Sequence, residues 1–62
     1  MKDETNMSIR KYLKQVGVTS QQAIEAALRE AGDASGKTYR ATVVLTIEEI
    51  GLTHEVSGDI EG

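Results

Sequence analysis

The sequence predicts an α+β fold in the order α-α-β-β, with two amphipathic helices packed on one face of an antiparallel β-hairpin. Three observations predict it. Apolar residues first recur at helical spacing in two successive runs. The period then changes from 3.6 to 2. Glycines stand where each element should stop.

The first helix is expected over about 6–16. Ile9, Tyr12, Leu13 and Val16 fall at i, i+3, i+4 and i+7, which puts them on one stripe of a helix. Thr5 or Asn6 can cap its start, and Gly17 can take the left-handed conformation that ends it. The second helix is expected over about 20–31. Ile24, Ala27, Leu28 and Ala31 repeat the spacing, and Gly32 repeats the stop. Thr19-Ser20-Gln21-Gln22 fits a T-x-x-Q capping box, and Glu25 and Arg29 form a favourable i, i+4 pair. Asp33-Ala34-Ser35-Gly36 reads as a loop.

The strands follow at 38–47 and 52–60. Tyr39, Ala41, Val43, Leu45 and Ile47 alternate with polar or outward positions, as do Leu52, His54, Val56, Gly58 and Ile60. If Glu48-Glu49-Ile50-Gly51 is a four-residue loop with Gly51 at positive φ, the register is set. Ile47 then faces Leu52, Leu45 faces His54, Val43 faces Val56, Ala41 faces Gly58 and Tyr39 faces Ile60. On the outer side Arg40 meets Asp59, Thr42 meets Ser57 and Thr46 meets Thr53. A slip of one residue would set inward positions against outward ones.

Sixty-two residues make one domain, and a chain this short buries only about 60% of the surface its unfolded form exposes. Small scaffolds usually add disulfides, a metal or oligomerisation. There is no Cys and a single His, which removes disulfides and argues against an all-protein metal site. The polar start, Met1 to Asn6, lacks the apolar core of a secretory signal, and no apolar run approaches the ~20 residues of a membrane span. A cytoplasmic location is the expectation. The net charge of −3 is unevenly spread. All seven Lys and Arg lie between Lys2 and Arg40, whereas residues 41–62 hold five acids and neither Lys nor Arg. That asymmetry favours attraction between helices and hairpin, within or between copies, over nucleic acid as a partner.

The tempting motifs are weak. Gly32-Asp33-Ala34-Ser35-Gly36-Lys37-Thr38 is one residue short of a phosphate-binding loop, and a helix precedes it where the motif needs a strand. The segment 9–31, through Gly17-Val18-Thr19, resembles the helix-turn-helix of bacterial repressors. It carries Ala23 where that family has a branched aliphatic, and its second helix sets Glu25 and Glu30 against one Arg, which repels phosphate. His54 is the one candidate for enzymatic chemistry, but Glu55 points to the other side of its strand. Tyr12 and Tyr39 fit the core, or an interface. No catalytic set, cofactor site or metal site emerges. The candidate contact residues are the basic cluster Arg10, Lys11 and Lys14, together with Val44 and His54.

Asn6-Met7-Ser8-Ile9-Arg10-Lys11 and Val16-Gly17-Val18-Thr19-Ser20-Gln21 open the chain, and Leu45-Thr46-Ile47, Gly51-Leu52 and His54-x-Val56-x-Gly58-x-Ile60 close it. Together they resemble a family of short bacterial proteins catalogued as a domain of unknown function. The resemblance spans nearly the whole chain and implies a free-standing domain. It carries no activity, substrate or catalytic residue. The leading functional expectation is a non-enzymatic protein-interaction module, self-associating through the hairpin edge, whose unpaired N–H and C=O groups invite another strand. A nucleic-acid-binding protein using 9–31 is the alternative, and a small enzyme using His54 the third.

Overall fold

The computed structural model describes residues 1–32 and 36–62. It is α+β, but it holds one long helix where two were expected. Helix α1 (Asp3–Ala31) runs unbroken for 29 residues. At 1.5 Å per residue it is about 43 Å long, which matches the longest dimension of the chain, 45 Å.

Two local signals misled the sequence reading. Gly17 does not adopt a positive φ, in contrast to Gly32, Gly36 and Gly51. A glycine inside a helix costs only about 1 kcal/mol relative to alanine, so without a proline or a strong cap the helix continues through it. Thr19 does not cap a new helix either. Its hydroxyl donates backward to the Gln15 carbonyl at 2.8 Å, the i−4 bond that a mid-helix threonine makes. The helix also starts earlier than expected. Lys2 is its N-cap, without a side-chain cap, and Asn6 N–H already donates to the Lys2 carbonyl at 3.0 Å. Asp3 and Glu4 lie in the first turn, where negative charge complements the helix dipole. At the other end Gly32 turns the chain out at φ 89°.

The hairpin is as the alternation predicts. Strands β1 (Thr38–Ile47) and β2 (Leu52–Glu61) pair antiparallel with Ile47↔Leu52, Leu45↔His54, Val43↔Val56, Ala41↔Gly58 and Tyr39↔Ile60. The second strand extends one residue past the expected end, to Glu61. A single 3-10 turn, Glu48–Ile50, joins them, and Gly51 closes it in the left-handed region at φ 64°, ψ 29°. On the outer face the Thr42 and Ser57 hydroxyls lie 3.3 Å apart. The sheet has two strands, so each has one edge free of any other strand among the described residues.

No described residue is buried. Val16, Ser20 and Leu28 of the helix and Tyr39, Ala41, Leu45 and Ile60 of the hairpin are partly covered, and the rest are exposed. Among the described residues, no helix is long and apolar enough to cross a membrane. The phosphate-loop comparison and the expected 33–36 loop fall largely on 33–35, outside the described residues.

Candidate interaction surface

The continuous helix changes where its apolar residues point. Fifteen residues separate Ile9 from Ile24, and at 3.6 residues per turn the second half of the stripe lies about 60° around the axis from the first. Only the first half meets the hairpin across open space. Ser8, Ile9, Tyr12, Leu13 and Val16 form one wall of a cleft of about 700 Å³. Val43, Leu45 and Ile47 of β1, Ile50 of the turn, and Leu52, His54 and Val56 of β2 form the other. Strand alternation aims every one of those β residues at the same face.

This cleft is apolar almost throughout. Ser8, Tyr12 and His54 bring its polar side-chain atoms, and no carboxylate lines it among the described residues. Its volume falls in the range of ligand sites, roughly 300–1,000 Å³. The lining stays wet for an apolar surface. Ile9, Leu13, Val43 and Val56 remain 42–55% exposed.

The five candidate residues do not form one site. His54 alone lines the cleft, opposite Leu45. Val44 lies on the outer face of the hairpin, opposite Glu55. Arg10, Lys11 and Lys14 are exposed, and helical spacing turns them about 100° or more from Ile9. Ser8 and Ile50 line the cleft without having been singled out in the sequence. Ile50 carried a signal, since an isoleucine in an exposed turn needs a reason, whereas Ser8 carried none.

The helix-turn-helix comparison loses its geometry here. Gly17, Val18 and Thr19 sit inside α1, so no turn presents a second helix to a groove. For the enzymatic reading, no carboxylate lines the cleft beside His54 among the described residues, and the other polar side chains there are Ser8 and Tyr12.

Among known families, the family of unknown function DUF6494 matches the chain over residues 1–62. No curated protein and no solved structure matches it.

Proposed function

Taking as premise that the chain belongs to the family of unknown function DUF6494, we propose that it is a small non-enzymatic interaction module that acts by self-association. The observation that carries this reading is the surface left uncovered. A compact chain of 6.7 kDa should expose about 3,900 Å². This one exposes 5,615 Å², about 1,700 Å² more than that scaling allows. The radius of gyration agrees. It is 15.0 Å, against about 10.6 Å for a compact domain of 62 residues.

Chemistry points the same way. An exposed apolar stripe facing an exposed apolar sheet is a surface that water disfavours. With no cysteine to form a disulfide, oligomerisation is a device open to a scaffold this small, and it would cover that surface. In this reading the helix stays on the apolar side of its own hairpin, and a second copy completes the cover. The free strand edges offer a further contact.

Sedimentation velocity across the micromolar range tests the proposal. A species of dimer mass that grows with chain concentration is the expected result. A monomer mass at several hundred micromolar would overturn it.

A further inference from the structure

We propose that the occupant of the cleft is a second copy of this chain. The two clefts meet mouth to mouth, and the helix of each copy lies against the hairpin of the other. This arrangement rests on the self-association proposed above and specifies its surface.

Area decides first. The excess of about 1,700 Å² per copy is about twice the ~800 Å² that each partner of a standard interface buries, so the uncovered surface is large enough to seat a second copy. A small apolar ligand in a 700 Å³ cleft would cover the lining alone.

Charge lies away from the contact. Between Glu4 and Glu25 the helix carries Arg10, Lys11 and Lys14 and no acid. The hairpin carries Glu48, Glu49, Glu55, Asp59 and Glu61 against Arg40. Arg10, Lys11 and Lys14 turn away from the apolar stripe, and the hairpin acids lie on its outer face or in the turn, so the two clefts meet through walls that carry no charged side chain among the described residues. A two-fold axis provides that contact twice.

Shape allows it. The chain measures 45 × 20 × 15 Å. Two copies side by side along the long axis keep that length while thickening the body across its two short dimensions.

A matched pair of substitutions tests the surface. Val43 and Val44 are neighbours on one strand, 46% and 56% exposed, on opposite faces. Val43→Lys and Val44→Lys change the net charge equally. Val43→Lys should weaken the dimer at least about 30-fold, the loss of a hot-spot residue, while Val44→Lys leaves it within about threefold. Isotope-filtered NOE spectra of a labelled–unlabelled mixture of the unmodified chain supply a second readout that no folding defect can blur. Methyl contacts between copies joining Ile9 or Leu13 to Val43 or Val56 are expected. A dimer whose contacts between copies run only through Val44 or the strand edges, and which survives both substitutions alike, would overturn this arrangement and leave self-association standing. A monomeric unmodified chain would overturn both.

Discussion

Replacing Gly17 by alanine separates one helix from two by the sign of its effect. Gly17 lies near the middle of α1, at a φ that is not positive. A Cβ built there meets nothing within 4 Å, so alanine enters without a clash. Nor does Gly17 line the cleft, so the contact surface is untouched. The full difference in helix propensity should therefore appear, about 1 kcal/mol in favour of alanine. Part of it comes from reduced freedom of the unfolded chain. For a domain of this size that raises Tm by about 4–8 °C. Had Gly17 ended a first helix in the left-handed region, as the sequence suggests, alanine would cost about 1–2 kcal/mol and Tm would fall. The assay is a far-UV circular dichroism melt of Gly17→Ala beside the unmodified chain. Chain concentrations are matched, because the melting point of a self-associating protein depends on them. A lower Tm, or none of the expected rise, would refute the continuous helix.

Thr19→Ala tests the same junction independently. An N-cap would lose about 0.5–2 kcal/mol on that change, but an exposed mid-helix threonine with a backward bond should shift urea-derived stability by no more than about 0.5 kcal/mol. Gly51→Ala should destabilise the chain by about 1–2 kcal/mol in the same urea titration, since its φ of 64° is one that L-residues adopt at a cost. His54→Leu removes a polar side chain from the cleft and should tighten self-association roughly tenfold, whereas His54→Lys should loosen it, both read by sedimentation equilibrium.

The hairpin was fully legible because its signals are local and mutually consistent. Alternation from Tyr39 to Ile47 and from Leu52 to Ile60 leaves one register in which apolar positions face each other, and Gly51 supplies the one backbone conformation the turn requires. The helix was legible in content and misread at its middle. Gly17 and Thr19-x-x-Gln22 are each compatible with a stop and a start, but compatibility is not a driving force. Interrupting the helix would forfeit backbone hydrogen bonds at both new ends, and the Thr19 hydroxyl finds the Gln15 carbonyl without any interruption. The candidate surface was half legible. The pattern told which sides of Ile9–Val16 and Val43–Val56 are apolar, and it assigned them to a packed core. It could not give the distance between those sides, which depends on the direction of a single rod rather than on any residue's character. His54 was placed on the correct face for the same reason that Val43 was.

The unbroken helix and the four-residue turn also govern how quickly the protein takes shape. Both halves are built from residues that are neighbours along the chain. A helix of this kind relaxes in about a microsecond or less and a hairpin in roughly 1–10 μs. No proline must isomerise and no disulfide must be found. Under the self-association proposed above, the remaining slow event, once the segments have coiled and zipped, is the encounter of one molecule with another. Recovery of the associated state after dilution out of denaturant is then second order. Its pace is set by how many molecules share the volume, not by any search within one of them.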